Sequence, residues 1–171
     1  MSSDEFVVTP WNVEGDIDYE KLTKQFGTQK ISSEILSKMK QITGEEHFML
    51  RRGIFFSHRD LNVILENFEK GKKFFLYTGR GPSGNTHIGH LVPWVFAKWL
   101  QDKFDVNIYF QLTDDEKFYT KSNLTLEETG KFALENALDF IALGFNPEKI
   151  SKRNKILQEM RFIKSKTKNQ F

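Results

Sequence analysis

The chain has 171 residues, 39% of them hydrophobic and 28% charged, with a formal net charge of +2 and no cysteine. This suits a globular domain with one core, or such a domain plus an appendage, and it excludes disulfides and thiolate metal sites. No apolar run approaches membrane-spanning length, and the acidic opening MSSDEFVVTP lacks the apolar stretch of a secretory signal.

Residues 1–15 read as irregular or strand-like, broken at Pro10 and Trp11. Asp18 is placed to cap a short helix bearing Tyr19, Leu22 and Phe26, with Gly27 as its stop. Ile35, Leu36, Met39 and Ile42 recur at helical spacing and end at Gly44. SHRDLNVILENFEKG predicts a stronger helix, with Ser57 and Asp60 at capping-box spacing and a stripe of Leu61, Ile64, Leu65 and Phe68. His47 and His58 read as surface or capping residues.

KFFLYTG is too short for a helix and predicts a buried strand over 74–78. A glycine-rich loop follows, then HLVPWVFAKWLQDKF, apolar almost all round, as a helix packed on a sheet would be. Proline is tolerated in a first helical turn, so Pro93 predicts a helix beginning near Gly89 or His90. VNIYFQLTDDE predicts a second strand over 107–113, with Ile108, Phe110 and Leu112 on one face and Tyr109, Gln111 and Thr113 on the other. Thr125 and Glu128 form a capping box for a long helix carrying Leu134, Leu138 and Ile141, ended by Gly144. Residues 149–171 hold eight Lys or Arg and one Glu, a balance of +7 against −5 for the rest. Such a run can attract nucleic acid, although a charge run is more often a solvated surface.

The order strand, helix, strand, helix predicts an α/β fold. It is the first half of a Rossmann-like parallel nucleotide-binding sheet, preceded by a mainly helical N-terminal segment with a hairpin. Three segments are expected: 1–70, hairpin and helices; 71–148, the first half of the catalytic domain; and 149–171, the basic tail.

The stretch YTGRGPSGNTHIGH, residues 77–90, carries the chemistry. A glycine loop running from a strand into a helix N-terminus is an anion site, because unpaired N–H groups and the helix dipole favour phosphate. The spacing matches neither a dinucleotide fingerprint nor a P-loop. Instead His87 and His90 stand where phosphates would lie, and Arg80 offers a planar fork of donors. Donors of this kind, aimed at developing oxyanion charge, supply much of the catalysis in nucleotidyl transfer. Taken alone, the glycines make only a turn and the histidines are ordinary polar side chains.

GRGPSGNTHIGH resembles the ATP-binding signature of class I aminoacyl-tRNA synthetases, which ends in the four residues 87–90. LRRGIFFSHRDLN, FLYTGRGPSGNTHIGHLVPWVFAKWLQDKF and FQLTDDEKF are similar to the eukaryotic cytoplasmic tryptophanyl-tRNA synthetase family. VTPWNVEG resembles that branch's N-terminal hairpin, and the resemblance runs from about Val8 to about Glu148. It implies that His87 and His90 contact the ATP phosphates and stabilise the transition state, with Arg80 as a further catalytic residue. Thr78, Gly79, Arg80, Gly89 and Lys117 would line the nucleotide. Tyr77 and Gln111 would accept the indole N–H of tryptophan, and Glu116 would hold its ammonium. Indole N–H is only a donor, so a tryptophan pocket needs buried acceptors, which discriminates against phenylalanine.

The implied activity is tryptophan–tRNA ligation in the cytoplasm. Its substrates are tryptophan, tRNA and ATP with Mg²⁺; no bound protein metal site is implied, a homodimer is, and a membrane partner is not. The family's lysine-rich pyrophosphate clamp and anticodon-binding region have no counterpart in this sequence, and residues 149–171 are expected not to match the family. The chain alone is therefore expected not to charge tRNA. The competing readings are a non-catalytic fragment that binds ATP or tryptophan or pairs with a full-length synthetase, and a different nucleotidyltransferase using the same pair of histidines.

Overall fold

The computed structural model describes residues 7–8, 13–14 and 19–145. The chain divides into two compact units, Met1–Gly71 and Lys72–Phe171.

In the first unit, β1 (Val7–Val8) pairs antiparallel with β2 (Val13–Glu14), the expected hairpin. Helix α1 (Tyr19–Gln25) is followed by Gly27 at φ 60°; the cap expected at Asp18 lies outside the described residues. Ser32 caps α2 (Ser33–Thr43) by accepting from the Ile35 N–H at 3.3 Å, and Gly44 closes it at φ 79°. His47 begins α3 (Phe48–Arg51), its Nδ1 accepting from the Met49 N–H at 3.2 Å. It is thus a capping residue, one of the two expected roles, although a buried one, and burial lowers its pKa from the ordinary histidine value.

Two two-residue strands, β3 (Gln29–Lys30) and β4 (Ser57–His58), pair antiparallel. This pairing overturns the expected capping box. With Ser57 held in β4, α4 (Leu61–Glu69) starts after Asp60, which makes no side-chain cap bond. The His58 Nδ1 accepts from the Leu61 N–H instead, at 3.1 Å.

In the second unit, β5 (Phe75–Arg80) and β6 (Asn107–Leu112) are parallel neighbours joined through α5 (Ile88–Phe104). Their register sets Tyr77 opposite Tyr109 and Gly79 opposite Gln111. Two further helices follow, α6 (Asp114–Thr120) and α7 (Leu126–Ala142). Period-two alternation sends Ile108 and Phe110 into a core with Trp94 and Ala97 of α5, Phe140 of α7, and Phe145. Phe140 stacks on Phe110 at 3.8 Å and on Phe145 at 3.7 Å, while Trp94 meets Phe110 edge-on at 5.2 Å. The other sheet face leaves Phe75 and Tyr77 exposed.

Several details differ from the sequence expectation, the first being that β5, expected as a buried strand, exposes Phe75 and Tyr77 on one face. Helix α5 begins at Ile88, so Pro93 falls in its second turn, where it cannot donate to the Gly89 carbonyl. A reciprocal histidine cap, described below, stabilises this earlier start. Residues 114–116, to which the sequence patterns assigned no element, form the acidic first turn of α6, which suits the positive end of its dipole. The Thr125–Glu128 capping box of α7 forms as expected, but the helix buries Thr129, Ala133, Asn136 and Phe140. Leu134, Leu138 and Ile141, the expected stripe, are exposed.

Candidate nucleotide and amino-acid site

His87 is the N-cap of α5, and His90 is its third helical residue. The His87 Nδ1 accepts from the Gly89 N–H at 3.2 Å, and the His90 Nδ1 accepts from the His87 N–H at 3.1 Å. The two rings lie 3.7 Å apart, centre to centre. This is a capping box built from imidazoles in place of hydroxyl and carboxylate. With both Nδ1 atoms accepting, each neutral ring carries its proton on Nε2 and keeps that donor for another partner. The His90 pKa is lowered from the ordinary value by burial, then by the positive charge of Arg80 and by His87.

Gly89 leaves room for this cap. A Cβ there would meet the His87 ring at 3.1 Å, closer than most such contacts. At Gly79 a Cβ would stand 2.4 Å from the Gln111 carbonyl oxygen, so a side chain would force the two strands apart.

The Tyr77 hydroxyl donates to the Gln111 Oε1 across the exposed sheet face. Each oxygen retains acceptor capacity, so the pair offers two neighbouring acceptors to an incoming N–H donor, on an exposed face and not in the buried setting expected. Thr78 stands in register with Phe110, on the opposite face by strand alternation. Its side chain is thus not brought to the Tyr77–Gln111 pair.

Glu116 lies in the first turn of α6. Its carboxylate accepts from the Thr113 hydroxyl at 2.8 Å and pairs with the Lys117 ammonium at 2.9 Å. The bond from Lys117, then that from Thr113, lowers the Glu116 pKa from the ordinary carboxylate value. The Lys117 stem also covers the glycine loop, since a Cβ on Gly81 would fall 2.0 Å from its Cε. Lys117 therefore links the loop to Glu116.

Arg80 departs from expectation. Its guanidinium does not open towards the loop's outer side: Arg80 is 8% exposed, and Nε donates to the Asn136 Oδ1. Nη2 donates to the Gly84 and Asn85 carbonyls, each at 3.0 Å. Asn136, fully buried on α7, was missed by the sequence reading. The signal available was a polar residue on the helical stripe of Thr129, Ala133 and Phe140. No group of three or more His, Cys, Asp or Glu that could hold a metal ion occurs among the described residues. No described helix is long and apolar enough to cross a membrane.

No family model matches the chain. It is 52% identical over 162 residues to the tryptophan–tRNA ligase of Saccharolobus solfataricus, a match covering 95% of this chain and 42% of that protein. The Pyrococcus furiosus ligase is 56% identical over 147 residues, 85% of this chain and 38% of that one. Among solved structures, the Trypanosoma brucei tryptophanyl-tRNA synthetase aligns with a TM-score of 0.73 at 50% identity, covering 78% of this chain and 40% of that one.

Over its matched length the chain is similar to the tryptophan–tRNA ligases. It spans about two fifths of the length of the curated ligases it matches. These two ligases are archaeal, so similarity does not single out the eukaryotic branch. A match covering 95% of the chain also reaches into residues 149–171, contrary to the expectation of an unmatched tail. The ligase likeness thus extends beyond the site to most of the sequence.

Proposed function

We propose that the protein serves tryptophan–tRNA ligation, with ATP bound at the mouth of α5 and tryptophan on the exposed face of the β5–β6 pair. The observation that carries this is the reciprocal imidazole cap, which fixes both rings and reserves two Nε2–H donors at a helix N-terminus. In the reaction, a tryptophan carboxylate oxygen attacks the α-phosphorus. The bond to the bridging oxygen breaks, and pyrophosphate leaves with its Mg²⁺. A ribose hydroxyl of tRNA then attacks the adenylate carbonyl, and AMP departs.

His87 and His90 hold the phosphates and the charge developing on them. Gly79, Thr78 and Gly89 line the nucleotide through their backbone, and Lys117 adds a cation beside the loop. Tyr77 and Gln111 accept the indole N–H, and Glu116 receives the α-ammonium. Placement in the eukaryotic cytoplasmic branch, as a homodimer, belongs to the same reading. The branch assignment is supported by the β1–β2 hairpin.

The test is tryptophan-dependent ATP–pyrophosphate exchange, run on this chain and on a chimera that adds the remaining length of a matched ligase. The chimera is expected to exchange with tryptophan and not with phenylalanine. His87→Ala and His90→Ala should each cost about 10²–10³-fold, the scale of one oxyanion donor. A monodisperse chimera without tryptophan-dependent exchange would refute the reading.

A further inference from the structure

Arg80 is the one cation of the glycine loop region whose donors are turned inward, and every partner shown for its guanidinium is neutral. Nε donates to the Asn136 side chain, and Nη2 to the carbonyls of Gly84 and Asn85. Asn136 closes the ring by donating from Nδ2 to the same Gly84 carbonyl, at 3.2 Å. The Arg80 backbone carbonyl accepts from the Thr113 N–H at 3.1 Å, which ties the end of β5 to the start of α6. Burying a guanidinium is costly unless its donors are satisfied, and the charge of Asp139 on α7 supplies part of the compensation. A planar fork can serve two adjacent carbonyls and an amide at once, which a lysine ammonium on a flexible stem does less well.

We propose that Arg80 and Asn136 are positioning residues: together they latch the glycine loop to α7 and so fix where His87 begins α5. Gly84 and Asn85, the residues held, lie three and two positions before His87. With their carbonyls anchored, the approach of the chain to the N-cap is set by a helix distant in sequence. The latch acts on the phosphate end of the site. The Tyr77–Gln111 pair is held by the β5–β6 register and does not depend on it. The inference rests on the ATP site proposed above and adds Asn136 to the residues that build it.

The test uses the 171-residue chain. In the unaltered protein, the Arg80 Nε–H should exchange with solvent far more slowly than the Nε–H of Arg51 and Arg52, which are exposed. Exchange at their rate would overturn the latch without any variant. Trypsin cleavage after Arg80 should be slow in the parent and much faster in Asn136→Leu. Asn136→Asp keeps an acceptor for Arg80 and should restore protection. In equilibrium binding, Asn136→Leu should weaken ATP by about tenfold, the scale of a lost hydrogen bond to a charged group, and leave tryptophan unchanged. Parent-like ATP affinity in a folded Asn136→Leu protein would overturn the positioning role. So would an equal loss of ATP and tryptophan binding. If the parent itself does not bind ATP, the functional reading fails, and exchange and proteolysis still decide whether the latch holds the loop.

Discussion

Four glycines in and around the loop occupy different steric situations, and replacing each by alanine should separate them. At Gly79 a Cβ would lie 2.4 Å from the Gln111 carbonyl oxygen and 3.2 Å from its carbon, against a practical limit of 3.0 Å. The obstacle is backbone of the paired strand, which cannot swing aside. Overpacking of this kind costs about 1–3 kcal/mol. At Gly84 nothing lies within 4 Å of the added Cβ, and no left-handed φ is needed. There alanine should be neutral, or stabilising by about 0.4–1 kcal/mol through the unfolded state. Gly81 meets only the far end of the Lys117 side chain, which can move, so its cost should fall between the two. Gly89 would press on the His87 ring, perturbing the cap more than global stability. Urea unfolding followed by fluorescence of Trp94 and Trp99, in a Trp11→Phe background, reads the second unit. With m-values of about 1–3 kcal/mol/M, Gly79→Ala should lower the midpoint by about 0.3–3 M. Equal midpoints for Gly79→Ala and Gly84→Ala would refute the steric reasoning.

Other outcomes follow from the same geometry. In an NMR titration His90 should have a midpoint below the ordinary 6.5, because burial and the nearby Arg80 and His87 oppose its proton. Its folded value is the lower one, so its contribution to stability is present above about pH 6.5 and is lost as pH falls through the folded value; a midpoint at or above 6.5 would contradict this. Lys117→Met should raise the Glu116 carboxyl towards its ordinary value, since the bond from Lys117 is the largest cause of its lowering; carbon-detected titration reads this directly. Phe140→Ala removes the ring stacked between Phe110 and Phe145 and should cost about 3–5 kcal/mol in the same urea assay.

Local signals made the central fold legible. Strands β5 and β6, helix α5 and the capping box of α7 each carry a strong pattern within a few residues, and their chain order implies the parallel pairing. The glycine loop and the two histidines were equally readable, whereas the meeting of Tyr77 and Gln111 came from the family resemblance, because alternation along each strand does not set the register between them. Strands β3 and β4, at two residues each, are too short to carry a period. Helix α6 opens with three acids that read as well for a loop as for a first turn. The direction of Arg80 was not readable, because it depends on Asn136, 56 residues away. A guanidinium beside glycines points to phosphate by local chemistry alone; only the fold supplies the inward partner.

Helix α7 turns polar groups inward and leucines outward. Thr129 and Asn136 have no exposed surface, whereas Leu134 and Leu138 are 65% and 58% exposed. The usual link between a residue's polarity and its tolerance of change is thus inverted along this helix. A chemist making the protein easier to handle in concentrated solution could replace Leu134 and Leu138 by lysine or glutamate with little effect on the core. The same chemist would find the modest-looking Asn136 far less forgiving. Ranking the positions of α7 by hydrophobicity would select the wrong ones to protect.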